Sequence, residues 1–359
     1  ANSYPAISSI LQLLIDKNKE NSKLFLILCG SSLSFMEEQV LGYQSPLYGR
    51  RTSQYKIKPF SFFETCDYYK TFSYEEKALI YGLTSGIPLY LSLFREDKSL
   101  KQNIIDIFLS SNGYLFEEPT NLIKQECRDP STYNSIIQAI ALGATKLSEI
   151  SNQVGIETGL CTTYIKKLIS LGIIIKDTPI YKPSKKQTIY LLADHMFQFW
   201  YKFVLPNISL INMGMGDRVY KKIEPHFYEF MGYIFEDICK QYLWLLNIHE
   251  ELPLFFLKLG RWWGNDTRIK AEAEIDIVAY NDENQILIGE CKWRNEDTDK
   301  KVLDKTIFRS ELFSFLNKYI YLFSKSRFSS YCLEYAKNNP SVHLITFEDI
   351  IKAYELNKS

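Results

Sequence analysis

Two acids and a lysine near the carboxyl end of the chain have the types and spacing to hold a divalent cation against a phosphate. Ala273-Glu274-Ile275-Asp276-Ile277-Val278-Ala279 and Ile286-Leu287-Ile288-Gly289-Glu290-Cys291-Lys292-Trp293 are apolar strands separated by the turn residues Asn281-Asp282-Glu283-Asn284, a hairpin pattern. Side chains alternate across a strand, so Glu290 and Lys292 share a face. The first strand brings Asp276 across from them. Two carboxylates suit a hard cation such as Mg2+, which takes few protein ligands and keeps several waters. Such an ion activates a water and offsets charge on a scissile phosphate; an ammonium beside it stabilises the charge that develops. Asp276, Glu290 and Lys292 are therefore the expected catalytic residues, with Asp276 and Glu290 as metal ligands. Glu236, in Gly232-Tyr233-Ile234-Phe235-Glu236-Asp237, can add a third acid from the preceding helix. The same residues also read as a structural salt-bridge cluster.

The elements that must position these groups form an α/β domain over residues 211–359. The pattern predicts a helix from Glu224 to Leu246, strands near Leu254, Ile275 and Ile286, and a charged helix after Asp297. A strand Tyr319 to Phe323, a helix to Lys337 and a strand Val342 to Thr346 follow.

Residues 131–210 have a different rhythm. A helical face at Ile136, Ile137, Ile140 and Ala141 precedes a short helix from Lys146, a turn at Gly155 and a helix Thr158 to Leu171. Gly172 is placed as a helix-ending glycine. Strands at Ile173 to Ile175 and Thr188 to Leu192 flank a basic loop. Three helices and a hairpin make a winged helix-turn-helix, whose third helix can enter a DNA major groove. Its expected DNA contacts are Thr162, Thr163, Lys166 and Lys167 on that helix and Lys182, Lys185 and Lys186 on the wing. A protein-contacting role for the same module stays open. The aromatic run around Phe197, Phe199 and Trp200 reads as packing between domains.

Upstream, residues 61–130 read as a mainly helical lid, broken at Ser85-Gly86-Ile87-Pro88. Residues 1–60 begin with a helical rhythm, without Met, and continue into an all-apolar strand, Leu24 to Cys29, of the kind covered on both faces. The expectation is a C-terminal piece of an α/β domain. Gly30-Ser31-Ser32 closes that strand where open α/β sheets bind ligands, although it also reads as a helix cap.

Composition limits the partners. Lys plus Arg and Asp plus Glu are 42 each, so a uniformly basic coat is excluded and any DNA contact must be a local patch. Hydrophobic residues at 46% and charged residues at 23% exclude long disorder. No apolar run approaches the roughly 18 residues that span a bilayer. Seven scattered cysteines and four separated histidines form no zinc or disulfide pattern. The expectation is a cytoplasmic protein with reduced thiols, no membrane contact, and a homo-oligomer or a partner protein as open possibilities.

Asp276 followed by Glu290-Cys291-Lys292, behind a Glu-bearing helix, resembles the PD-(D/E)xK nuclease superfamily. The resemblance implies a restriction-endonuclease-like core with Mg2+-dependent phosphodiester hydrolysis, Asp276 and Glu290 as ligands, Lys292 as the catalytic lysine and Glu236 as the helical acid. Ile275 stands where that family has a proline. The order of parts over nearly the whole chain is similar to prokaryotic, especially archaeal, AAA/STAND-type P-loop ATPases with a C-terminal DUF234 domain. That likeness makes Leu26 to Ser32 a sensor strand, with Ser31, Arg50 and Arg51 as nucleotide-sensing remnants, and Ser85 to Tyr90 a lid motif. No GxxxxGK[ST] loop exists in the sequence, so ATP binding and hydrolysis are expected only of a longer protein. Two functions remain in competition: a Mg2+-dependent nuclease on DNA, and a non-catalytic module that binds DNA or protein.

Overall fold

Small polar residues ahead of apolar stretches set where many helices start. The computed structural model describes residues 6–18, 23–30, 36 and 40–358. Helix α1 (Ile7–Lys17) is followed by α2 (Phe62–Tyr68), α3 (Tyr74–Thr84), α4 (Pro88–Leu91), α5 (Leu100–Phe108) and α6 (Glu118–Glu126). Ser61 and Ser73 accept the backbone N–H of Glu64 and Glu76, whose carboxylates accept the serine N–H in return; each such cap contributes about 1 kcal/mol. The break after α3 is a turn with Ser85 at φ 51° and Gly86 at φ 69°. A Cβ on Gly86 would lie 1.9 Å from the Phe60 carbonyl oxygen, so only glycine fits.

The strand expected at Leu24 to Cys29 does not form. Residues 23–30 join neither sheet, and Phe25 and Ile27 are 85% and 70% exposed. An apolar strand needs neighbours that satisfy its backbone and cover both faces, and no described strand lies beside it.

Next come α7 (Pro130–Ala141), α8 (Leu147–Val154) and α9 (Thr158–Ser170), then strands β1 (Ile174–Asp177) and β2 (Ile189–Leu192). The strands pair antiparallel, Ile174 opposite Leu192. Ile136, Ile140, Ile150, Cys161, Ile165 and Leu168 bury the shared face of the three helices. Left-handed Gly155 and Gly172 end α8 and α9. α10 (His195–Phe199) continues into a π-helical turn, and its aromatic side packs on Phe108, Phe227 and Phe230. This aromatic run is therefore core between the helices.

After α11 (Ile208–Asn212) and α12 (Gly216–Ile223), the long α13 (Phe227–Ile248) leads to the main sheet. Its elements are β3 (Leu259–Asp266), β4 (Ala271–Tyr280), β5 (Gln285–Lys292), α14 (Lys300–Ser310), β6 (Asn317–Ser324), α15 (Ser330–Asn338), β7 (Val342–Thr346) and α16 (Phe347–Asn357). The strand order is β3-β4-β5-β6-β7. β3, β4 and β5 are antiparallel, and β5, β6 and β7 parallel, with α14 and α15 as crossovers. β5 is covered on both sides: Leu287 and Cys291 join one core with α13 and α16, and Ile286 and Ile288 join a second with α14 and α15.

No strand forms at Leu254. Pro253 lacks the N–H that a ladder needs, and Leu254 is buried within a loop instead. The loop joining β1 to β2 lies along β3: the Ile180 N–H donates to the Arg261 carbonyl at 3.0 Å. Gln187 and Trp263 exchange two further bonds. This loop shields the outer strand of the sheet, which would otherwise expose unpaired backbone groups. No helix among the described residues is long and apolar enough to cross a membrane.

Candidate active site

β3 and β4 fall out of step at one point. Gly260 pairs with Val278 but Trp262 with Ile275, so Asp276 and Ile277 together face Arg261. Such a bulge re-aims side chains and ends regular pairing. The β4–β5 ladder stops at Ile277 opposite Gly289. Beyond it the Cys291 N–H donates to Asp276 Oδ2 at 2.9 Å. One Asp276 oxygen thus replaces a backbone acceptor where the strands part. A Cβ on Gly289 would stand 2.9 Å from Ile277 Cβ, so glycine lets the strands close up just before the acids.

Glu290 is buried at 5% exposure. Lys292 Nζ donates to its Oε1 at 2.6 Å. Arg309 of α14 stands 3.7 Å from its Oε2 and donates to the Glu274 carbonyl at 2.5 Å. Glu236 projects from α13, 3.5 Å from Arg261 and 3.9 Å from Lys240. Arg261 also pairs with Glu274, yet its buried Nε has no hydrogen-bond partner.

These charges act as one unit. Burial, and then Asp276, push Glu236 up to about 7. The same two causes, in the same order, raise Glu290. Asp276 therefore stands close enough to repel acids from both a helix and a strand. Burial opposes the Lys292 ammonium, but Glu290 and Asp276 outweigh it, so its pKa rises. Arg261 behaves alike, with Glu236 and Glu274 outweighing burial. Crowded acids whose charge is disfavoured gain from an added cation.

The donor set suits a hard divalent ion that keeps most of its water. Among the described residues no group of three or more His, Cys, Asp or Glu side chains is gathered as a metal cage. A carboxylate pair with retained waters is the usual Mg2+ arrangement.

A family model described as archaeal and bacterial proteins of unknown function, DUF234, matches residues 200–303. An uncharacterized protein of Methanocaldococcus jannaschii, MJECL04, is 36% identical over 324 residues, which span 88% of this chain and 70% of that protein. The chain belongs to the DUF234 family. Protein VC1899 from Vibrio cholerae, a solved structure, aligns with a TM-score of 0.28 and 12% identity over 73% of this chain and 57% of its own; no feature of the fold is inferred from that likeness.

The matched span of this DUF234 protein holds Glu236, Asp276, Glu290 and Lys292 but ends before Arg309. Arg261 and Arg309 were not expected at the site. Arg261 sits in Leu259-Gly260-Arg261-Trp262-Trp263-Gly264, which carries no clear strand pattern, and reaches the acids only through the bulge. Arg309 does lie in the expected charged helix, but the crossover decides which side of that helix meets Glu290.

The remaining expected residues belong to other elements of the chain. Ser31 is outside the described residues. Arg50 binds Asp16 through Nε and Nη2 at 2.8 and 2.9 Å, and Arg51 is exposed. On α9, Thr162 and Thr163 bond back to the carbonyls of Thr158 and Gly159, and Lys166 is exposed while Lys167 is half-buried. Lys182 extends over the Tyr181 ring. Lys185 opens a short 3-10 turn, and Lys186 is exposed.

Proposed function

We propose that this DUF234 protein is a divalent-metal-dependent phosphodiesterase of the PD-(D/E)xK kind, acting on nucleic acid. The observation that carries this reading is the placement of Asp276 and Glu290 where β4 and β5 part, with the Cys291 N–H donating to Asp276 at 2.9 Å and Lys292 Nζ donating to Glu290 at 2.6 Å. Asp276 and Glu290 would hold Mg2+, which supplies an activated water and offsets phosphate charge. Lys292 stays protonated and, at 30% side-chain exposure, can place its ammonium on a phosphate oxygen. Arg309 keeps Glu290 oriented while Lys292 turns to substrate. The Glu236 carboxyl, titrating at about 7, can take up or release a proton near neutral pH.

α7, α8, α9 and the β1–β2 hairpin are proposed to act as a winged helix that holds DNA near the acids, with Thr163, Lys166 and Lys186 on the exposed surface. ATP hydrolysis is proposed only for a longer protein that carries a P-loop.

One observation favours a second reading, a non-catalytic binding module. Lys292, Arg309 and Arg261 already pair with the acids, so the cluster is electrically satisfied without metal. A cleavage assay on double-stranded DNA, single-stranded DNA and RNA separates the two. The nuclease reading expects cutting with Mg2+ or Mn2+, none in EDTA, and a loss of about 100-fold or more in Lys292→Ala. Intact substrates throughout leave the binding module.

A further inference from the structure

A cavity of about 640 Å³ opens between the helices and the sheet, at the end of β5 that carries Lys292. Leu79 of α3, Met231 of α13 and Trp293 give it an apolar lining, and Arg294, Lys325, Glu75 and Glu296 line it with charge. Trp293 directly follows Lys292. In the parallel pair Lys292 sits opposite Ser324, which sets Trp293 beside Lys325. The cavity opens at the same end of β5 as the candidate active site, on the side of the sheet covered by α13 and α16.

Its polar contacts describe the ligand that would fit. The Lys325 ammonium stands 5.2 Å from the Trp293 ring centroid and 2.8 Å from Glu75 Oε2, and it donates to Asn295 Oδ1 at 2.8 Å. Phe235 and Phe347, each 5.1 Å from the indole, hold that ring in place. The protein thus covers an aromatic ring with its own cation and that cation with its own carboxylate. A ligand with a flat π face and an attached anion would replace both: the ring in place of the ammonium, the anion in place of Glu75. Arg294 also lines the cavity, with its guanidinium 3.8 Å from Asp299. Glu76 also lines the cavity, but its carboxylate is engaged by Ser73 in the α3 cap. The volume lies within the roughly 300–1,000 Å³ of small-ligand sites.

We infer that this cavity takes one nucleotide of a nucleic-acid strand, the base stacked on Trp293 and its phosphate on Lys325, next to the phosphate held at Asp276 and Glu290. The inference rests on the nuclease reading and names where the strand runs. Stacking on an aromatic ring tolerates every base, so the cavity holds the strand without reading its sequence.

The test is binding of a short fluorescein-labelled single strand to the full chain in EDTA, followed by anisotropy at low salt. Lys325→Ala should weaken binding by about tenfold, and Glu75→Gln, which frees Lys325, should tighten it severalfold. Opposite signs are the signature, because a simple structural latch would be broken by both variants and move them together. Shifts of the same sign, or none beyond about twofold, overturn the inference. AMP binding with these sensitivities while the strand fails to bind also overturns it, in favour of a free-nucleotide site. Cleavage is assayed separately with Mg2+. A strand that binds with opposite signs but stays uncut sinks the nuclease reading and keeps the cavity. Wild-type cleavage with no effect of either variant on binding does the reverse.

Discussion

Replacing Glu236 with glutamine should stabilise the metal-free protein in mild alkali and change little in acid. Its carboxyl is raised from 4.5 to about 7, because burial and then Asp276 disfavour the charge more than Arg261 and Lys240 favour it. The side chain is only 14% exposed, so water screens these forces weakly. In the unfolded chain the group ionises near its ordinary value. Between that value and about 7, the unfolded state has released a proton that the fold retains, so stability falls as pH rises and the loss is complete above the folded pKa. Each pH unit of that interval corresponds to about 1.4 kcal/mol, so the penalty reaches about 3 kcal/mol. Glutamine has nearly the same shape and no charge, and it removes the penalty. Urea unfolding in EDTA should give Glu236→Gln a gain approaching 3 kcal/mol at about pH 8 and almost none at about pH 4. A loss at the higher pH, or a difference that ignores pH, would show that the pairs with Arg261 and Lys240 dominate. A net penalty from burial and Asp276 would then be refuted.

Two other outcomes follow from the geometry. Gly289→Ala places a methyl against Ile277 and should cost about 1–3 kcal/mol in thermal or urea unfolding; an unchanged transition refutes the close strand approach. If α9 meets DNA, removing the Lys166 charge by Lys166→Ala should lower the slope of log affinity against log salt by about 0.9. An unchanged slope excludes that lysine from the interface.

The local periods of the chain were readable, and its long-range pairings were not. Alternation placed Glu290 and Lys292 on one face, and the strand Val342–Thr346 lies where its pattern predicts. Gly172 ends α9 as a left-handed glycine should. The bulge at Asp276 depends on how β3 pairs, which no periodicity encodes. The same is true of Arg261, brought to Glu236 by that bulge. Leu24 to Cys29 shows the opposite limit: its composition suits a buried strand, but composition cannot supply a neighbour. The basic loop between β1 and β2 also carried a hidden contact. Tyr181, next to Lys182, packs against Tyr280, Phe313 and Phe315, so part of the expected wing is anchored to the sheet.

The most direct measurement is calorimetric titration of the full chain with Mn2+ at neutral pH, beside Asp276→Asn. Asparagine keeps an oxygen to accept the Cys291 N–H, so the variant should fold while losing the charge that draws a cation. Saturable binding with a Kd below about 1 mM in the parent and none in the variant is the expected result. Parent and variant binding alike, or neither binding, would contradict a metal seat at Asp276 and Glu290.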